Sequence, residues 1–304
     1  MLAAHISDTH IRNLKYHWEY RQAFADLYNK LRDQKPDVII HTGDIAHTKT
    51  QLSPEYFELT AEFLSTLADI APVIIIAGNH DGNLKNPDRQ DAITPIVTAL
   101  QHPNLIFLKN SGEYQFNDEV TFNVLSVFDR ENWVHPTDLS KINIALYHGS
   151  ISGCETGQGF KIRDGDDTFE IFEDFDYALL GDIHKPQVMD RDGRVRYAGS
   201  TVQQNYGEDP RKGYLLWNIK TKEEFFVRHE VLVNPRPFLT ISLTEDGELP
   251  DTHIPKNARL RVMSRYNIPL TKLRQAVDAA EAKWRPFSVT FVNKGAGSND
   301  QNQG

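Results

Sequence analysis

Five short clusters in this sequence carry side chains able to bind a metal ion. They are Asp8-Thr9-His10, Gly43-Asp44, Gly78-Asn79-His80-Asp81, His148-Gly149 and Gly181-Asp182-Ile183-His184. Each follows a compact apolar run, over 2–6, 38–40, 73–77, 142–147 and 177–180 in turn. If those runs are strands, alternate side chains share one side, so Asp8 with His10, and Asp182 with His184, reach a common region. The adjoining glycines let the backbone turn sharply and approach an ion or phosphate closely. Mixed carboxylate, amide and imidazole groups suit Mn²⁺, Fe²⁺ or Zn²⁺ better than Ca²⁺. Asp8, His10, Asp44, Asn79, His148, Asp182 and His184 are too many ligands for one tetrahedral ion. They are enough for two ions that share a bridging carboxylate.

The hydrophobic pattern outlines the elements that must position these groups. Residues 54–70 place Phe57, Ala61, Phe63, Leu64, Leu67 and Ile70 at helical spacing, and a second helix is expected around 18–31. The resulting βαβαβ order implies a parallel or mixed sheet with helices on its faces and chemistry at the carboxyl ends of the strands. From Asn104 onward, shorter strands at 105–108, 121–127, 142–147, 177–180, 195–198 and 214–219 predict another α/β half with a more antiparallel tail. A last strand over 225–233 leads into Asn234-Pro235-Arg236-Pro237, a rigid link and the best domain boundary. Beyond it, strands at 238–243, 259–265 and 287–292 and a helix at 270–284 predict a small α+β unit. The expected domains are therefore 1–232 and 233–293, followed by a disordered polar tail over 294–304.

With 304 residues and 39% hydrophobic content, the chain can bury a sizeable core, which excludes a disordered protein. It has no apolar run of the ~18 residues a membrane span needs. No basic segment precedes an apolar stretch at the N-terminus, which argues against a secretory signal. The single cysteine, Cys154, fits a reducing, intracellular compartment, so a cytoplasmic location is expected. Cys154 has no base placed for it and reads as a structural thiol. The net charge of −9 disfavours a polyanionic partner at first sight, but it is unevenly spread. Between His253 and Lys294, nine Lys or Arg face only Asp278 and Glu281, a net +7 that leaves −16 for the rest. An acidic body with a basic segment is consistent with a metal-binding enzyme that has a substrate-contacting module, and equally with an ordinary solvated face.

The five clusters, in this order and over roughly residues 1–185, resemble the calcineurin-like metallophosphoesterases, whose pattern is D-x-H, GD, GNH(D/E), a His after a strand, then GHxH. The resemblance implies a two-sheet α/β sandwich flanked by helices. It puts Asp8, His10, Asp44 and His184 on one divalent ion and Asp44, Asn79, His148 and Asp182 on the other, with Asp44 bridging. It places His80 near the leaving oxygen as proton donor or transition-state stabiliser and His47 near the scissile phosphate, while Asp81 orients the loop. Within the family the chain looks like the nuclease subunit of SbcCD-type double-strand-break repair complexes. Gly43-Asp44-Ile45-Ala46-His47, Gly181-Asp182-Ile183-His184-Lys185-Pro186-Gln187, Tyr197-Ala198-Gly199-Ser200 and Lys212-Gly213-Tyr214 carry that likeness.

This closer resemblance implies a Mn²⁺-dependent DNA nuclease, with Mg²⁺ also possible, acting in DNA repair or recombination. The implied activities are 3′-to-5′ exonuclease on double-stranded ends and endonuclease on single strands or hairpins. It further implies a small α+β capping domain facing DNA, a coiled-coil ATPase partner of the SbcC type, and a homodimer formed through helices near 54–70 and 91–100, with Ile93, Ile96 and Leu100 at the interface. The alternatives are a phosphodiesterase acting on nucleotides or cyclic nucleotides, and a catalytically weak metal-bound scaffold. The stretch Arg12, Lys15, Tyr16, His17, Trp18 reads either as a DNA-contacting loop or as a helix start.

One ligand departs from the pattern: Asp182 stands where GHxH has its first histidine. An oxygen ligand there lowers the net charge of a two-ion centre by one and makes the second site harder. Metal titrations are expected to show greater tolerance for Mg²⁺ or Mn²⁺ and weaker Zn²⁺ affinity in the parent than in Asp182→His, and identical preferences would refute this.

Overall fold

The computed structural model describes residues 1–294, so the expected tail lies outside the described residues except for Lys294. The chain divides into two compact units, one of residues 1–204 and 211–233, the other holding 205–210 and the residues from 234 onward. Residues 205–210 thus leave the first unit, to which sequence order alone had assigned them.

In the first unit the order is β1 (Leu2–Ile6), α1 (His17–Gln34), β2 (Val38–His41), α2 (Pro54–Ile70), β3 (Val73–Ile76), α3 (Thr94–Leu100) and β4 (Leu105–Leu108). There follow β5 (Gly112–Gln115), β6 (Val120–Leu125), β7 (Ile142–His148), β8 (Tyr177–Gly181), β9 (Gln187–Val188), β10 (Val195–Tyr197), β11 (Gly213–Ile219) and β12 (Phe225–Val231). They form two six-stranded mixed sheets, ordered β12-β11-β1-β2-β3-β4 and β5-β6-β7-β8-β10-β9. The antiparallel tail is β11 and β12, which return to the first sheet with β11 beside β1. The second sheet is parallel through β6, β7, β8 and β10, with antiparallel edges.

The period-2 alternation of the strands builds three apolar layers. Val38, Ile40, Ile74 and Ile76 face Phe122, Ile144, Leu146 and Leu179 between the sheets, where the fully buried Trp217 also packs. On the opposite face, Ile6, Ile39, Val73 and Ile75 meet the helices, with Phe24 of α1 stacked on Phe63 of α2 at 4.3 Å. Ser53 caps α2 by accepting the Tyr56 N–H, and Pro54 opens it without losing a bond. The outer face of the second sheet is covered by Ile151, Cys154 and Phe172 from the segment between β7 and β8. Cys154 is buried there, which pushes its thiol upward in pKa and suits a packing role. The Gly-rich stretch 159–167 is tied down by bridges between Glu155 and Lys161 and between Ile151 and Asp167.

Helix α3 starts at Thr94, later than the 91–100 helix the resemblance implied, because Asp91 accepts the backbone N–H groups of Ile93 and Thr94 and holds the preceding turn. Ile93 and Ile96 are buried in the core under α2, so they are not surface residues for a second subunit. Among the described residues, no helix is long and apolar enough to cross a membrane.

The second unit holds a parallel sheet β13-β14-β15 (Phe238–Ser242, Arg259–Ser264, Ser288–Asn293). Its helix α4 (Leu270–Trp284) turns Leu273, Ala276, Ala280 and Trp284 onto a core of Ile241, Leu260 and Val262.

Two histidines without a sequence motif lie wholly inside the first unit. His5 Nε2 bonds to the Thr42 hydroxyl at 3.0 Å and His41 Nε2 to that of Thr9 at 2.7 Å. Burial, then the charge of His41 on His5 and of His148 on His41, pulls both down from 6.5 to about 3. The unfolded chain therefore binds more protons between those limits, and stability is lost as pH falls from about 6.5 towards 3. Urea titrations in EDTA across that range are expected to show a steep loss, flattened in a His5→Gln/His41→Gln variant relative to the parent.

Candidate metal centre

The ligand clusters sit where the strands end, and hydrogen bonds continue the ladder past them. Asp8 N–H donates to Gly43 O at 3.1 Å, His10 N–H to Asp44 O at 3.0 Å and Ile11 N–H to Ile45 O at 2.7 Å, so the loops after β1 and β2 run together. Asp81 joins the third loop to them. Its buried carboxylate accepts the backbone N–H groups of Asp44 (2.8 Å), Ala46 (2.8 Å) and Gly78 (2.9 Å). Close approach requires glycine at two points. A Cβ on Gly78 would lie 2.2 Å from Asp44 Oδ1, and one on Gly181 would lie 2.2 Å from the Thr42 carbonyl oxygen. Asp8, His10, Asp44 and Asp182 themselves take positive φ of 50°, 48°, 59° and 93°. Such backbone costs of order 1 kcal/mol or more per residue and persists only where its surroundings hold it.

Two groups of donor atoms result, and they share one oxygen. His10 Nε2 lies 3.8 Å from Asp8 Oδ1, 3.6 Å from Asp44 Oδ2 and 2.9 Å from His184 Nε2. His148 Nε2 lies 3.4 Å from the same Asp44 Oδ2, 3.0 Å from Asn79 Oδ1 and 3.8 Å from Asp182 Oδ1. Three of the remaining atoms are pinned so that the other donor atom of each side chain faces inward. Asp44 Oδ1 accepts the His80 N–H at 2.8 Å, Asp8 Oδ2 accepts the Ser7 hydroxyl at 2.5 Å, and His148 Nδ1–H donates to Thr42 O at 2.6 Å. The last bond sets the tautomer that leaves Nε2 with a lone pair for an ion.

Electrostatics favour a cation here. Burial pushes Asp8 above the usual carboxylate range, against the pull of His148 and His184. Burial also raises Asp182, to about 6, with His148 opposing and Asp8 and Asp44 adding to the rise. Burial opposes ionisation of Asp44 too, but His148, His10 and His80 outweigh it and hold this carboxyl below the usual range. Three crowded carboxylates, two of them buried, with imidazoles aimed at them form a donor set that fits two divalent ions. All seven sequence-predicted ligands come together, with Asp44 in the position of a shared carboxylate.

His80 and His47 lie beside this centre. The His80 ring is 4.9 Å from that of His10, and its Nδ1–H donates to the His47 carbonyl at 2.8 Å, which leaves Nε2 as the atom that takes up a proton and, in the imidazolium form, hands it over. His47 Nε2 accepts from the Arg12 guanidinium at 2.9 Å. Burial, then the charge of Arg12, pulls His47 down to about 4, so near neutral pH it is an uncharged acceptor and not a proton donor. Sequence reasoning missed Ser7, Thr42 and Arg12 as supports of the site. Ser7 and Thr42 each sit beside a ligand or its glycine, but only the fold reveals which atom each one holds. Replacing Asp81 with Ala strands three buried N–H donors and is expected to cost about 2–4 kcal/mol in unfolding free energy, with weakened metal binding by calorimetry. An unchanged unfolding midpoint would refute Asp81 as the clasp of these loops.

Comparison with known proteins agrees with this geometry. The profile described as calcineurin-like phosphoesterase matches residues 1–188. An uncharacterized protein of Acanthamoeba polyphaga mimivirus is 38% identical over an alignment of 272 residues that covers 84% of this chain. The chain spans only 20% of the length of that relative. A crystal structure of the Pseudomonas putida nuclease MPE aligns at 17% identity over 49% of this chain and 62% of that one, with a TM-score of 0.30, a likeness too partial to bear on fold or activity. With the profile covering the first ligand, Asp8, through the last, His184, this chain belongs to the calcineurin-like phosphoesterase family.

Proposed function

We propose that the protein is a Mn²⁺-dependent DNA nuclease of the SbcD type that hydrolyses phosphodiester bonds. The observation that carries the hydrolytic part is Asp44 Oδ2 lying between two donor groups, 3.6 Å from His10 Nε2 and 3.4 Å from His148 Nε2, with His80 alongside. A pair of divalent ions supplies Lewis acidity when bound, activating water and neutralising charge on a phosphoester. Asp8, His10, Asp44 and His184 would hold one ion, and Asp44, Asn79, His148 and Asp182 the other. In its imidazolium form His80, steadied through Nδ1–H by the His47 carbonyl, presents Nε2–H to the leaving oxygen and gives up that proton, returning to the neutral Nδ1–H tautomer. Burial, with Arg12 beside it, keeps His47 neutral, and the Arg12 hydrogen bond holds it in place.

The DNA part rests on the sequence motifs shared with SbcD-type subunits and on the basic segment of the second unit. In this reading that unit faces DNA, a coiled-coil ATPase presents the substrate, and a homodimer places two sites on one duplex. The ends of double strands are degraded 3′ to 5′, and single strands or hairpins are cut internally. A phosphodiesterase of nucleotides would use the same centre without need of the basic unit.

Hydrolysis of end-labelled duplex, hairpin DNA and bis-p-nitrophenyl phosphate with Mn²⁺, Mg²⁺ or EDTA separates these readings. The expected result is cleavage of all three substrates, abolished by EDTA and reduced about 10²–10⁴-fold in kcat by His80→Ala. Turnover of the small ester alone would favour the nucleotide phosphodiesterase, and bound metal without any turnover would favour a scaffold.

A further inference from the structure

Arg12 is a cation held beside the centre without an anion. Its guanidinium donates to His47 Nε2 at 2.9 Å and to Gln204 Oε1 at 3.3 Å, and lies 5.6 Å from the centre of the Tyr16 ring. All three are neutral groups, and among the described residues no carboxylate pairs with it. Its Nε–H is buried with no hydrogen-bond partner. A half-buried guanidinium whose Nε–H is sealed from water and whose partners are all neutral is costly to hold, so a fold that keeps one in place has a use for the missing anion.

The position is also rigid. His17 Nε2 donates to Arg12 O at 2.6 Å, the neighbouring Asn13 is tied to Ser53 N–H and Gln51 O, and Tyr20 hydroxyl donates to His10 O at 2.5 Å. Arg12 is therefore presented in a fixed pose before any ligand arrives.

The reacting phosphate belongs at the two donor groups, next to His80. Arg12 is set back from them by the His47 ring, whose centre lies 5.7 Å from that of His10. We propose that Arg12 binds the phosphate neighbouring the scissile one, so that the site selects substrates carrying two successive phosphates on one strand over simple diesters and mononucleotides. The guanidinium fork matches a phosphate in two-point hydrogen bonding, which an ammonium does not. This inference rests on the nuclease reading and names its substrate class more narrowly.

The test compares Arg12→Gln and Arg12→Lys with the parent, with thermal melting as the check on folding. On a single-stranded oligothymidylate, kcat/KM of Arg12→Gln is expected to fall at least tenfold further than on bis-p-nitrophenyl phosphate, chiefly through KM, with Arg12→Lys in between. Binding of the labelled oligonucleotide, measured by anisotropy in a His80→Ala background with Mn²⁺, is expected to lose about 0.7 from its log–log salt slope, one phosphate contact on a single strand. Equal losses on the two substrates, or an unchanged salt slope, would overturn the proposal. If the parent hydrolyses the small diester but no oligonucleotide, the nuclease reading fails by itself. Calorimetry then decides the inference: a preference for thymidine 3′,5′-bisphosphate over thymidine 5′-monophosphate that Arg12→Gln removes upholds it, and no preference overturns it.

Discussion

Asp44 Oδ2 is the atom on which the centre turns, because one oxygen can serve two groups of donors only if its carboxylate cannot rotate. The His80 N–H occupies the other oxygen, at 2.8 Å, and Asp81 fixes the backbone of Asp44 through its N–H. The same Asp81 holds Ala46 and Gly78, so one buried carboxylate aligns the second and third loops together. The positive φ of Asp44, and the missing Cβ at Gly78 that gives its carboxylate room, follow from this arrangement. Local backbone preference is overridden here in favour of ligand placement.

Neighbouring side chains then divide the work by charge state. His148 is directed by Thr42, with burial opposing its charge and Asp44 favouring it strongly enough to raise its pKa well above the ordinary value while no cation is present. His47, next to a guanidinium, is kept neutral, whereas His80 rests on a carbonyl that accepts its Nδ1 proton. Three histidines within one site thus differ in what they can donate, and the difference comes from a carbonyl, a carboxylate and an arginine lying next to them.

Much of this was legible in the sequence. Strand runs ending in Asp, Asn or His beside glycine point to the carboxyl edge of a sheet, and the ligands Asp8, His10, Asp44, Asn79, His148, Asp182 and His184 do converge there. Helices 54–70 and 270–284 were readable to the residue because their apolar periodicity is continuous over those spans. What escaped depends on contacts between distant segments. The return of β11 to the side of β1, the passage of 205–210 into the second unit, and the burial of Ile93 and Ile96 have no local signature. Arg12 reads as one more basic residue until His47 is seen against it.

The centre draws on both sheets: Asp8, His10, Asp44 and Asn79 follow strands of the first, whereas His148, Asp182 and His184 come from the second. Asp8 and Asp182, joined by a 3.1 Å hydrogen bond from the Asp182 N–H to the Asp8 carboxylate, are 174 residues apart. A ligand set so dispersed is complete only after the two sheets have docked, late on any route to the native state. Ions bound to it would therefore do little for the rate of folding and would act on the reverse path, as rivets that must come out before the sheets separate. Metal loading in this chain would set how long the folded molecule lasts more than how fast it forms.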